Sequence, residues 1–577
     1  MRFIMSMVPH FPRYDTRTVH VLDGLWEAAW LGAAGDPETV RPGDICWDGL
    51  MTVPGVFDSC PDHVRKRGCF ALRCFIDTVH PSMRGRIRFG GLGLWGRVFV
   101  DGECLGTCQT PYAPWSVAVP PGSGTRRELV ILIDNRFDPD RVPLFDPFFD
   151  FYGYGGVYRT VAWHELPDCA LDRVTVTPLD LDGNVRIDIR LDGHTSATLD
   201  ATVSFDGGEK LVFEGLEVSK DLASFKTCVP SPRLWSPADP ALHTLRLEIE
   251  GDSIIERFGL RTVAAEKGKI LLNGKPVKLL GYNRHEAHPQ FGPALPPQQL
   301  LHDLQHLRRL GCNFVRGSHY PQDQRFLDLC DELGFLVFEE ALGWGTPAAH
   351  LADARFNELQ EIQTRAMVRT SANHPCVILW GFLNECESHK PESDAAVARL
   401  SAAIRVEDDS RLVTFATNRP FVERNYDKVD VVSVNQYPGW YPEDRDKERP
   451  LDEIEPLIDR VLAHLKAEGQ EAKPFIISEM GAGAIYGWRD ELEAHWSEQY
   501  QAAYLGVLAR RVVEDERIAG VAIWQFCDGR TYADGHALGR PRAFNNKGTF
   551  DEYRRPKMAA DTVRRIFTAS ARLPAEA

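Results

Sequence analysis

The sequence predicts a multidomain chain in which two all-β sandwiches are followed by a (β/α)8 barrel. Three observations predict it. At 577 residues the chain is long enough for about three to four domains of about 150 residues each, or about two to three if one is a barrel. Its rhythm changes near residue 263, from short alternating runs to strand followed by helix. Eight apolar runs of strand length then follow, which is the arithmetic of a (β/α)8 barrel. An open, doubly wound sheet also holds eight strands, so the count alone leaves that alternative open.

Before residue 263 the runs GRIRFGG (85–91), GRVFVDG (96–102), ELVILIDN (128–135), VRIDIRLDG (185–193) and LHTLRLEIEG (242–251) are punctuated by Gly, Pro and Asp. Successive strand side chains point to opposite faces, so this alternation marks strands with one buried face. Their spacing of about ten residues reads as β-sandwiches. The region is too long for one small sandwich and divides near residue 165, around VYRTVAWHEL. The expected domains are 1–165, a first sandwich; 166–262, with the length of an immunoglobulin-like domain; and 263–577, the barrel.

The barrel strands are read from VKLLGYN (277–283), NFVRG (313–317), FLVFEE (335–340), CVILWGFLN (376–384), LVTFAT (412–417), VDVVSVN (429–435), PFIISE (474–479) and GVAIWQF (520–526). Helical stretches such as QQLLHDLQHLRRLG (298–311) and FLDLCDELG (326–334) separate most of them. In the first stretch Leu300, Leu304 and Leu307 recur at helical spacing, and Gly311 suits a C-terminal cap.

Composition narrows the function. With 66 Lys+Arg against 82 Asp+Glu, the net charge is −16, which argues against nucleic acid as the main partner. No apolar run approaches the roughly 20 residues of a membrane span. The start, MRFIMSMVPHFPRYD, lacks the features of a secretory signal. The 13 cysteines are scattered without a C-x-x-C pair, so a disulfide framework is not expected and a reducing cytoplasm is.

Chemistry in a parallel barrel sits at the C-terminal strand ends. Glu385 follows Asn384 directly after ILWGFL, at the end of the fourth run, and Glu479 closes PFIISE, the seventh. Two such carboxylates are what glycosidic cleavage needs: one protonates the leaving group and the other meets the positive charge at the anomeric carbon. A gap of about 5–5.5 Å gives retention of configuration, and about 6.5–9.5 Å gives inversion. The acid should be raised in pKa by burial and by its partner's charge, while the other carboxylate needs donors around it.

Several ordered motifs resemble glycoside hydrolase family 2. LDGLW (22–26) and VPGVFD (53–58) are similar to its sugar-binding jelly-roll domain, and DFYGYGGVYRTV (150–161) to the segment leaving it. GYNRHEAHP (281–289), VRGSHYP (315–321), WGFLNE (380–385), NQYPGWY (435–441), IISEMG (476–481) and IWQFCDG (523–529) follow in family order. The resemblance implies a retaining glycosidase, with Glu385 as acid/base and Glu479 as nucleophile. It implies that Asn384 bonds the sugar 2-hydroxyl, that Tyr441 lies beside the nucleophile, and that His319 and Trp524 line the pocket. It also implies that Asp150 reaches across to sugar hydroxyls. A homo-oligomer is implied as well.

Asn545-Asn546-Lys547-Gly548 matches the Asn-x-Lys-Gly of uronide-cleaving members. A Lys ammonium and an amide can pair with a C6 carboxylate, and Arg540 or Arg542 could add charge. The expected substrate is therefore a terminal β-glucuronide, on a small glycoside or an oligosaccharide. A galacturonide, a neutral galactoside and a non-catalytic carbohydrate-binding protein are the alternatives. The short segment 343–360 suggests an open mouth that favours larger aglycones. No cofactor is expected. His285-Glu286-Ala287-His288 lacks the H-E-x-x-H spacing of a zinc site, GGLGLWG (90–96) lacks the helix of a nucleotide fingerprint, and Cys386 reads as packing.

Overall fold

The computed structural model describes residues 11–145, 151–193, 196–441, 450–531 and 539–570. The first sandwich packs a six-stranded antiparallel sheet against a four-stranded one. Trp26, Leu72, Ile87, Val98, Ile131 and Trp163, from alternating positions on both sheets, form its core. The second sandwich pairs a three-stranded with a four-stranded sheet around Val174, Ile187, Ile189, Val203, Leu247 and Phe258. The segment before the first sandwich lies on the second: Arg13 N donates to Ile255 O at 2.9 Å, and the buried Arg17 guanidinium pairs with Asp252.

The third unit is a closed barrel of eight parallel strands, so the open-sheet alternative is excluded. The strands are Leu279–Arg284, Phe314–Gly317, Leu336–Glu340, Val377–Asn384, Leu412–Thr417, Val432–Asn435, Phe475–Met480 and Ile518–Ile523. Each overlaps one of the eight apolar runs. Apart from the half-buried Leu280 they are buried along their whole length, as parallel strands covered by helices on one side and a packed barrel interior on the other must be. Leu300, Leu304 and Leu307 are buried along one stripe of helix Pro297–Arg309. Gly311 follows at φ 84, a left-handed conformation that glycine adopts without strain.

The sandwiches brace the barrel at opposite ends. From the first, Arg159 pairs with Glu286 at 2.8 Å, both buried, and Tyr112 stacks on Tyr320 with ring centroids 3.9 Å apart. These contacts lie on loops after the first and second barrel strands, beside the mouth. From the second, Trp235 Nε1 donates to Asp331 O at 2.8 Å and Arg257 pairs with Asp328 at 2.7 Å.

Candidate active site

Polar side chains from several barrel strands meet at the mouth. At the hub is Arg316, near the end of the second strand and fully buried. Its Nη1 donates to Glu479 Oε1 at 2.8 Å and to Asn283 Oδ1 at 2.9 Å. Its Nη2 donates to Asn384 Oδ1 at 2.7 Å, and its Nε to Glu340 Oε2 at 2.9 Å. One planar guanidinium thus ties strands one, three, four and seven together, a task suited to its rigid fork of donors.

Glu479 accepts on both oxygens, from Arg316 and from the hydroxyl of Tyr437 at 2.6 Å to Oε2. His319 Nε2 lies 3.7 Å from Oε1. An arginine and a phenol on the two oxygens form an arrangement that holds negative charge. Burial and the charge of Glu479 push the Tyr437 hydroxyl well above its ordinary range, which keeps it a donor.

Glu385 has a different environment. Its Oε1 accepts from Asn435 Nδ2 at 3.0 Å and its Oε2 from Asn418 Nδ2 at 3.3 Å, both neutral amides. Its backbone is left-handed, φ 51. A non-glycine residue held there costs on the order of 1–3 kcal/mol, and such strain clusters at functional sites. Asn435 links the two halves of the site. Its Oδ1 accepts from Ser478 Oγ at 2.6 Å, and its Nδ2 is shared between Glu385 and Asn384 Oδ1 at 2.9 Å. A continuous chain therefore joins the two carboxylates: Glu479, Arg316, Asn384, Asn435, Glu385.

Asn384 Oδ1 is held by Arg316 and Asn435, so its amide orientation is set. Its Nδ2 is buried and has no hydrogen-bond partner among the described residues. A buried, unsatisfied donor costs about 1–3 kcal/mol, and a sugar hydroxyl would satisfy this one. His319 Nδ1 bonds Glu340 Oε1 at 2.8 Å, and the His319 ring stacks on Trp524 at 5.2 Å. Burial pushes Glu340 up to about 7 against the pull of Arg316. Phe151 lies 5.3 Å from the His285 ring and 6.1 Å from that of His319, so the first sandwich borders the site. Asp150 itself lies outside the described residues.

The tyrosine assignment needs correction. The phenol beside Glu479 is Tyr437, two residues past the end of the sixth strand. The chain then turns through Gly439, at φ 76, and Tyr441 faces another partner: its hydroxyl accepts from Lys547 Nζ at 3.1 Å. Lys547 is buried, and its ammonium lies 5.1 Å from the Tyr437 ring centroid, 5.0 Å from that of Tyr441 and 5.8 Å from that of Trp440. Three electron-rich ring faces are a favourable seat for a cation.

Asn545 is buried, and its Oδ1 accepts from Lys547 N at 3.3 Å. It lines a small cavity with Phe151, Tyr152, His285, Gln525 and Arg530. Gly548 is required by close packing, because a Cβ there would lie 2.2 Å from Asp528 N. Arg542 departs from expectation. Its guanidinium pairs with Glu552 at 2.9 Å and donates to Asn546 Oδ1 at 2.9 Å, which braces the loop from its partly exposed side.

The H-E-A-H group is divided among separate partners. His285 Nδ1 bonds the Tyr320 hydroxyl at 3.2 Å, Glu286 bonds Arg159, and His288 Nδ1 accepts from Gln290 N at 3.2 Å. Asp331, His374 and Cys376 approach one another closely enough to hold a metal. They lie at the far, N-terminal end of the strands, where Asp331 already bonds His374 Nδ1 at 2.6 Å and Cys376 N at 3.0 Å. Burial holds the Cys376 thiol well above its ordinary range.

Arg316, Asn435, Tyr437 and Glu340 were not singled out from the sequence. The signal was present: each is a polar group at, or just beyond, the end of an apolar strand run, as Glu385 and Glu479 are.

Fold and site together define a carbohydrate-cleaving hydrolase of the barrel class. Residues 263–571 match the family described as "Glycosyl hydrolases family 2, TIM barrel domain", and residues 169–261 match "Glycosyl hydrolases family 2". The chain belongs to glycoside hydrolase family 2. It is 31% identical over 529 residues to a β-glucuronidase of Mus musculus, covering 84% of this chain and 78% of that protein. The crystal structure of a β-galacturonidase of Eisenbergiella tayi bound to galacturonate superposes with a TM-score of 0.86 at 32% identity, covering 98% of this chain and 99% of that one. A β-glucuronidase of Ruminococcus gnavus in complex with D-glucaro-d-lactam gives 0.84 at 25% identity, over 96% and 98% of the two chains.

Proposed function

We propose that this glycoside hydrolase removes a terminal β-linked uronic acid, foremost β-D-glucuronic acid, with retention of configuration. The observation that carries the sugar preference is the buried Lys547 ammonium, seated against Tyr437 and Tyr441. It stands across one aromatic ring from Glu479, where the far end of a bound sugar would present its C6 carboxylate. A charge-assisted pair of this kind distinguishes a uronide from a neutral sugar.

The contrast between the two carboxylates supports the following division of roles. Glu479, held by Arg316 and Tyr437, attacks the anomeric carbon. Glu385, which accepts from the amides of Asn435 and Asn418, gives its proton to the glycosidic oxygen as the leaving group departs. The covalent glycosyl-enzyme has lost the charge of Glu479, and Glu385 then takes a proton from the water that cleaves it. Asn384 Nδ2 bonds the 2-hydroxyl, a contact that strengthens in the oxocarbenium-like transition state. His319 and Trp524 form an aromatic wall for the sugar face. Asp150 and Asn545 are proposed as further sugar contacts.

Galacturonide is a second reading, favoured by the likeness to the Eisenbergiella tayi enzyme. The two sugars differ only at C4. Hydrolysis of nitrophenyl β-glucuronide, β-galacturonide and β-galactoside ranks them in one experiment. Turnover of either uronide well above the galactoside is expected; a galactoside preference overturns the uronide reading.

Thirteen free thiols support a reducing, cytoplasmic setting. No helix among the described residues is long and apolar enough to cross a membrane. The substrate is a small glycoside or oligosaccharide, and a homo-oligomeric assembly is proposed from the family resemblance.

A further inference from the structure

A cleft of about 600 Å³, within the usual range for small-ligand sites, runs from Asn435, Tyr437 and Tyr441 of the sugar site outward past Glu385. One wall is the loop after the fifth barrel strand, with Asn418 and Arg419; the other is helix Ile454–Ala467, with Leu457 and Arg460, preceded by Glu453. Residues 453, 456, 457 and 460 recur at helical spacing, so one helix face turns toward the cleft. Glu385 gives its proton to the leaving group, so the cleft on its side is where that group must lie.

The charge of this cleft departs from that of the chain. The protein carries −16 overall, yet two arginines face the leaving-group side. The Arg460 guanidinium lies 5.1 Å from the Phe421 ring centroid, which orients it. Neither Arg419 nor Arg460 has a carboxylate partner among the described residues, whereas arginines such as Arg365, Arg369, Arg399 and Arg405 each have one. Glu453 is the acid on the same wall. Two arginine forks beside an open cleft match a carboxylate on the incoming molecule, and such a cleft focuses their field.

We infer that the cleft is a subsite for a leaving group bearing a carboxylate, so that the enzyme trims acidic oligosaccharides in preference to neutral conjugates. The inference rests on the hydrolase reading above and adds the chemistry of the aglycone to it.

The test uses one matched pair of substrates, the 3-carboxyphenyl and 3-carbamoylphenyl β-uronides, compared by kcat/KM on the same enzyme preparation. A ratio of about tenfold in favour of the carboxylate is expected, falling as salt is raised, because partly exposed charge pairs are weak and screened. In the double variant Arg419→Gln, Arg460→Gln the ratio should fall to about one, while Arg419→Lys, Arg460→Lys should keep most of it. The ratio cancels any general loss of active enzyme. Turnover of both substrates at equal rates, or an unchanged ratio in the double glutamine variant, overturns the inference alone. No turnover of either member on glucuronide, galacturonide or galactoside overturns the hydrolase reading, and the inference with it.

Discussion

The hydroxyl of Tyr437 donates a 2.6 Å hydrogen bond to Oε2 of Glu479, while Tyr441, four residues on, accepts from Lys547 instead. The two tyrosines of NQYPGWY therefore serve different ends of the same sugar site. Removing the Tyr437 hydroxyl leaves the nucleophile with one donor fewer and less firmly aimed. Tyr437→Phe should lower kcat on an aryl uronide by about 10²-fold, the scale of a misplaced catalytic group. Tyr441→Phe should act chiefly on KM for uronides. Equal kcat losses in both would remove the distinction.

The two carboxylates should separate by leaving group. Glu479→Gln abolishes turnover of every substrate. Glu385→Ala should retain activity on aryl glycosides with acidic phenols, which depart without a proton, and lose it on alkyl glycosides. A Brønsted plot of kcat/KM against leaving-group pKa checks this: it should steepen in Glu385→Ala. A plot unchanged from that of the parent enzyme would reassign the acid.

Lys547→Ala should act on charge rather than on chemistry. Hydrogen bonds to charged groups contribute about 1.5–3 kcal/mol, so uronide kcat/KM should fall by about 10–150-fold. Residual galactoside activity should change little. Parallel assays on the two glycosides give the comparison, and a common loss on both would point to loop collapse instead.

Arg316 is a buried cation shared by Glu340 and Glu479. Substitution by Met leaves those acids without their common counter-charge, an effect of about 3–5 kcal/mol when one partner of a buried pair is removed. A fall in denaturant midpoint together with loss of turnover is expected. A variant as stable as the parent would show that the carboxyls find other partners.

Glu256, on the second sandwich, lies buried against the barrel, and burial pushes it up to about 7. Its ordinary value is near 4.5. Between these values the folded chain holds a proton that the unfolded chain has lost. Stability is therefore greatest below the lower value and declines as pH rises through about 7. The loss is on the order of 3 kcal/mol at one unit of pKa per 1.36 kcal/mol. Melting curves from pH 5 to pH 8 should fall less steeply in Glu256→Gln than in the parent. Identical slopes would place the pH dependence in other groups.

The local pattern already carried the architecture, because barrel strands buried on both faces must be apolar runs and must alternate with helices. All eight strands, and the placement of Glu385 and Glu479 at their ends, were legible in this way. The closure of the sheet was not, since an open sheet uses the same runs; it depends on the first strand pairing with the eighth, at Leu279 and Gly520. Nor was the hub at Arg316, whose partners Asn283, Glu340, Asn384 and Glu479 come from four strands far apart in the chain. The separate duties of Tyr437 and Tyr441, and the diversion of Arg542 to Glu552, were likewise set by tertiary structure. Side-chain type and spacing determine which groups reach the barrel mouth. Which of them touch is decided only when the turns and the barrel closure bring distant strands to hydrogen-bond distance.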